Sequence, residues 1–107
     1  MNLLLTLCLT LLPLNVIAAS NDDAAIAVLK RNLWIKDAYS AADIMNIGVM
    51  PSDKPWDSPM IIKAACSVLR RNKSDINWIR FADIRHPAFA KTPWEAEIAK
   101  YDCRDFF

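Results

Sequence analysis

Ser74-Asp75-Ile76-Asn77-Trp78-Ile79-Arg80-Phe81-Ala82-Asp83-Ile84-Arg85 is the stretch on which the fold class turns. Ser74-Asp75 has the chemistry of a helix N-cap. The apolar residues Ile76, Trp78, Ile79, Phe81, Ala82 and Ile84 then wrap around every side of a helical wheel. Laid out as a strand, neither face is cleanly polar. A segment apolar all round is a buried one, and periodicity alone does not separate a buried helix from a buried strand. We read it as a helix, with a short strand around 76–84 as the alternative. His86-Pro87 ends it, because the residue before a proline is driven out of the helical region.

The segments on either side carry helical signals. Upstream, Ser58 can cap and Pro59 falls at the first helical position, where its missing N–H costs nothing. Ile61, Ala64, Ala65, Val68 and Leu69 form an expected core face, with Cys66 on its flank. Arg70, Arg71 and Lys73 close that helix with the charge its C-terminal dipole favours. Downstream, Thr92-Pro93-Trp94-Glu95 joins a Thr cap, a first-position Pro and a Glu. This predicts a last helix with Trp94, Ile98 and Tyr101 on one face.

Further upstream, residues 51–59 hold three prolines with Ser and Asp between them and read as a loop. Residues 21–45 read as one long helix or as two helices with a bend near Tyr39. Asn21 is the candidate cap, and Asp22 and Asp23 occupy the first turn. Ile26, Leu29 and Leu33 make the apolar stripe. Ser40-Ala41-Ala42-Asp43 has capping-box spacing, and Gly48 fits the residue after a helix end. The expected fold is therefore mainly α: a small bundle of four to five short helices closed by one disulfide. The alternative is an α+β fold with a short strand around 76–84.

The N-terminal stretch is of a different kind. Residues 1–19 contain no Asp, Glu, Lys, Arg or His, and Leu3 to Leu12 is almost wholly apolar. Pro13 ends the run, and Val16-Ile17-Ala18-Ala19-Ser20 supplies small residues. This is the pattern of an export signal over 1–19, with cleavage after Ala18 to Ser20, although Met1-Asn2 lacks the usual basic residue. Residues 20–107 then make a single small helical domain. A retained membrane anchor is the alternative, with Pro13 and Asn15 against it and barely enough length to span. The expected location is periplasmic or secreted.

Removal of residues 1–19 takes away Cys8 and leaves Cys66 and Cys103. In an oxidising compartment two cysteines in a small domain pair as a disulfide. For a loop of this length the cross-link is worth about 4 kcal/mol. A zinc site would need further ligands near them, and the only His is His86. No metal and no cofactor is expected.

Thirteen basic and twelve acidic residues leave a net charge of +1. That balance gives no general attraction to nucleic acid. A single glycine excludes a glycine-rich phosphate loop. Asp22-Asp23, Asp53/Asp57 and Asp102/Asp105 lack calcium-loop spacing. Asn72-Lys73-Ser74 is a glycosylation sequon, which matters only in a eukaryotic secretory route. The pattern carries no resemblance specific enough to transfer a function.

The functional expectation is a small exported protein-interaction module, of inhibitor, immunity or accessory type, and not an enzyme. Its partner is another protein; no nucleic acid and no small-molecule cofactor is involved. A membrane comes into play only if the N-terminal segment is retained. Trp56, Phe89 and Phe107 are the candidate binding residues, and Phe107 is expected to fold back onto the core. A small enzyme built around His86 is the remaining alternative; it needs a cleft that gathers this residue with carboxylates.

Overall fold

A computed structural model of the chain describes residues 20–107. The export signal read over 1–19 lies outside the described residues. The order of elements is α1 (Asn21–Leu29), β1 (Ile35–Ala41), β2 (Ile44–Val49), α2 (Pro59–Arg71), β3 (Trp78–Asp83), a 3-10 turn (Pro93–Ala96), β4 (Glu97–Asp102) and a second 3-10 turn (Cys103–Phe106). The strands form one mixed sheet in the order β1-β2-β3-β4. Its outer pairs are antiparallel and its central pair, β2 with β3, is parallel. The unit helix–strand–strand thus occurs twice, and α2 is the crossover that a parallel pair requires.

The all-helical bundle is therefore overturned: the described residues form an α+β fold, with two helices and a four-stranded sheet among them. The physical cause is clearest in the decisive stretch. Residues 78–83 form β3, at the centre of the sheet, with Ile79, Arg80, Phe81 and Ala82 all buried. A central strand covered on both faces loses the polar–apolar alternation that marks a strand in sequence. β2 behaves alike: Met45, Asn46, Ile47, Gly48 and Val49 are all buried.

The long helix over 21–45 ends early. Ser20, not Asn21, is the cap, its Oγ accepting from the Asp23 N–H at 3.0 Å. The helix stops at Leu29, and a turn through Asn32 leads into β1. The presumed capping box at Ser40–Asp43 is a two-residue hairpin turn. Ala42 and Asp43 both take positive φ, 52° and 60°, as the tight turn that suits the right-handed twist of paired strands requires. Gly48 is not a helix end but a strand residue. A Cβ placed there would lie 2.7 Å from Ile84 Cδ1 and 2.8 Å from Phe89 Cζ.

The last predicted helix is a single 3-10 turn followed by a strand. Thr92 Oγ1 does bond Glu95 Oε2, at 2.6 Å, but the chain then enters β4 against β3. Trp94 and Ile98 are exposed, and only Tyr101 packs on the core.

Residues 51–58 form a loop as expected, and α2 starts at Pro59 after Ser58. Its buried face is rotated relative to expectation. Ile62, Ala65, Cys66 and Leu69 are buried, whereas Ala64 is exposed. At its end Lys73 takes φ 57°. The Lys73 N–H donates to Arg70 O and the Ser74 N–H to Leu69 O, the hydrogen-bond pair of a left-handed C-terminal cap.

Helices α1 and α2 cover one face of the sheet. The core there joins Leu29, Met45, Ile47, Val49, Ile62, Leu69, Ile79 and Phe81. The other face is covered by the 84–96 segment, where Phe89 and Ala96 pack on Ala82, Tyr39 and Ile84. Cys66 and Cys103 form the expected disulfide, with a Cα–Cα distance of 5.4 Å. It ties α2 to the turn that follows β4.

Candidate functional site

Helices α1 and α2 lie side by side over the sheet, and the 50–58 loop closes one end of the seam between them. The seam is not filled there. A groove of about 620 Å³ runs between Val28 and Leu29 of α1 and Ile61, Ala64 and Val68 of α2. Trp56 and Phe81 form its floor, with their ring centroids 5.2 Å apart. The Trp56 indole N–H donates to Met50 O at 3.0 Å, which fixes the ring and ties the loop down.

The rim is apolar and exposed. Trp34 is 43% and Met60 80% accessible, and both line the groove. Leu33, the neighbour of Trp34, is 86% accessible. Large apolar side chains left in water next to a concave apolar surface are what a docking site offers. Lys54 is the one ionisable side chain in the lining. Its Nζ lies 4.4 Å from the centroid of a Trp34 ring, a cation–π arrangement that holds the ammonium over the rim.

The candidate binding residues do not come together. Trp56 is 5% accessible and belongs to the groove floor. Phe89 is equally buried, but on the opposite face of the sheet, edge-on to Tyr39 at 5.3 Å. Phe107 remains 53% accessible, with the Arg70 guanidinium 4.5 Å and the Lys63 ammonium 5.9 Å from its ring centroid. The neighbouring Phe106 folds onto the core, edge-on to Tyr101. A smaller cavity of about 360 Å³ lies beside the disulfide, between Leu69, Arg70, Asn77 and Phe107. His86 is exposed, and its Nδ1 accepts from the Ala88 N–H at 3.0 Å. It lines neither cavity.

Trp34, Met60, Leu33 and Lys54 were not among the candidate binding residues read from the sequence. Leu33 had been assigned to a core stripe of a helix that in fact ends four residues earlier. Met60 follows a first-position proline and offers no local sign of exposure.

The face away from the helices holds the one buried cation among the described residues. Arg80 is 5% accessible. Its Nε donates to Glu97 Oε1 at 2.8 Å and its Nη1 to Asn46 Oδ1 at 2.9 Å. The Asn46 amide in turn donates to Ile44 O at 3.3 Å. Among the described residues no buried side-chain nitrogen or oxygen lacks a partner, so this network is a satisfied structural unit. Tyr39 donates its hydroxyl to Phe89 O, and burial pushes its pKa above the ordinary value. Asp83 and Asp102 are held below the usual carboxylate range by hydrogen bonds from Arg85 and Arg104.

Among the described residues, no group of three His, Cys, Asp or Glu is placed to hold a metal ion. No helix among them is long and apolar enough to cross a membrane. No family model matches the chain, and no curated protein or solved structure is significantly similar to it.

Proposed function

We propose that the chain is a small exported, disulfide-stabilised module that binds another protein through the groove between α1 and α2. The observation that carries this reading is the exposed apolar rim of Trp34 and Met60, with exposed Leu33 next to Trp34 in the chain, beside a concave apolar floor. Association that covers these side chains gains the free energy of apolar burial without any rearrangement of the core. Aromatic and Met side chains are the types enriched where protein surfaces meet. Export is supported by the uncharged apolar run of residues 1–19 and by the Cys66–Cys103 disulfide, which suits an oxidising compartment.

The test is a photo-crosslinking residue at position 60 in the producing cell, with position 94 as a comparison on another exposed part of the surface. A discrete adduct of constant mass from position 60, absent from position 94, is the expected result. Equal or no capture at the two positions rejects the groove as a docking site. Mass spectrometry of the N-terminus reads the export step. A chain starting between residues 19 and 21 fits signal removal, whereas an intact Met1 favours the membrane-anchored alternative.

A further inference from the structure

We propose that the interior of this groove is a binding site for one fatty carboxylate, with its tail between α1 and α2 and its carboxylate at Lys54. This concerns the same groove as the docking reading and goes beyond it by assigning a ligand class to its interior.

The volume is the first ground. About 620 Å³ is more than a single anchoring side chain fills, and it lies in the range of pockets that enclose small organic ligands. The shape is the second. Met60, Ala64 and Val68 line one wall along α2, which is about 12 Å of helix at 1.5 Å per residue. That wall suits a linear chain. The lining is the third. Val28, Leu29, Ile61, Trp56 and Phe81 present hydrocarbon, and a tail that replaces water there is stabilised in proportion to the apolar area covered.

Charge selects the head group. No Asp or Glu lines the groove, and Lys54 makes no ion pair among the described residues. Asn32 and Ser58 also reach the lining. Ser58 spends no side-chain hydrogen bond on capping α2, so its hydroxyl is open to an acceptor. An ammonium, a hydroxyl and an amide in the lining of an otherwise apolar groove complement a carboxylate, and the ammonium repels a cationic head. A bilayer surface is a poor fit, because a flat sheet of head groups does not enter the space between two helices.

The probe is dodecanoate in its monomeric range, titrated against the oxidised full-length chain. Trp fluorescence and the Ala64 methyl resonance report on it. Saturable one-to-one binding that moves the Ala64 signal is expected. Dodecyltrimethylammonium binds more weakly than dodecanoate. Lys54→Ala lowers dodecanoate affinity about fivefold and leaves dodecanol affinity unchanged. Ala64→Trp fills the groove and abolishes binding, while Ala64→Ser, similar in size to the parent, retains it; circular dichroism checks that both are folded. The proposal is overturned by equal affinity for the anionic and cationic probes, by binding that survives Ala64→Trp, or by the absence of saturable binding. Association with phosphatidylglycerol vesicles in the absence of dodecanoate binding overturns it as well. Capture of a partner from position 60 does not depend on these outcomes, so the two readings fail separately.

Discussion

The sheet is covered by helices on one side and by a loop on the other, and the two sides are held by different means. On the helix side Met45, Ile47, Val49, Ile79 and Phe81 meet Leu29, Ile62 and Leu69, all apolar and all buried. Burial there is non-directional: it scales with area and tolerates some repacking. On the loop side the same two strands present Asn46, Gly48, Arg80 and Ala82. Specific partners hold that face: Asn46 and Glu97 on Arg80, the Tyr39 hydroxyl on Phe89 O, and the Phe89 ring over the glycine. The difference teaches that β2 and β3 are jointly specified. Their odd positions supply cohesion, and their even positions fix what lies over them.

Substitutions break the two faces in different ways. Phe81→Ala, on the helix side, has the largest expected effect, a loss of about 4 kcal/mol in denaturant unfolding. It also enlarges the groove, since Phe81 forms part of its floor. On the loop side Asn46→Leu costs about 3 kcal/mol, because Arg80 Nη1 loses its acceptor in a buried place. Replacing both, as Asn46→Leu with Arg80→Met, costs less than Asn46→Leu alone. A buried charge removed with its partner leaves nothing unpaired, and Glu97 can turn to water. A double substitution worse than the single one would mean that the network does more than satisfy itself.

Gly48→Ala sharpens the comparison further. The added methyl meets side-chain ends, not backbone, so they yield at a cost of about 2 kcal/mol. A double-mutant cycle with Phe89→Leu should show strong coupling, because the smaller side chain relieves the clash. The hairpin turn offers a gain. Ala42→Asn with Asp43→Gly places residues suited to positive φ where L side chains are strained, and should raise stability by about 1 kcal/mol.

The smallest effects are those of pH. The folded pKa of Tyr39 is raised, so its contribution is complete below the ordinary value of 10.0 and is lost as the pH rises through the folded value. Tyr39→Phe should flatten that alkaline limb, leaving the part due to Tyr101, which burial also raises. Asp83 and Asp102 have lowered values, so their contribution is complete above 3.8 and fades as the pH falls through the lowered ones. Thermal melts across the pH range read both limbs.

What was legible in the sequence was local or countable. Ser58-Pro59 announces α2 because the cap and the first turn involve adjacent residues. The disulfide follows from two cysteines left after Cys8 is set aside. The sheet was hidden for the reason that makes its centre stable. Met-Asn-Ile-Gly-Val of β2 and Ile-Arg-Phe-Ala of β3 are buried on both sides. Their polar members, Asn46 and Arg80, face inward to each other across a separation of 34 positions. No window of a dozen residues contains that pairing. The groove was equally hidden, since Val28 and Ala64 become neighbours across it only after the sheet has brought α1 and α2 side by side.

The disulfide gives the molecule an uneven mechanical character. Cys66 and Cys103 are 37 positions apart in sequence and 5.4 Å apart in space. Pulled between residues 20 and 107, the reduced chain can release everything it contains. The oxidised chain withholds the stretch from Cys66, midway along α2, to the end of β4, about 120 Å of contour at 3.3–3.6 Å per residue. Load then falls on α1, β1, β2 and the loop under Trp56, while β3 and β4 are shielded inside a covalent ring. The first half of the fold can be drawn out and the second cannot.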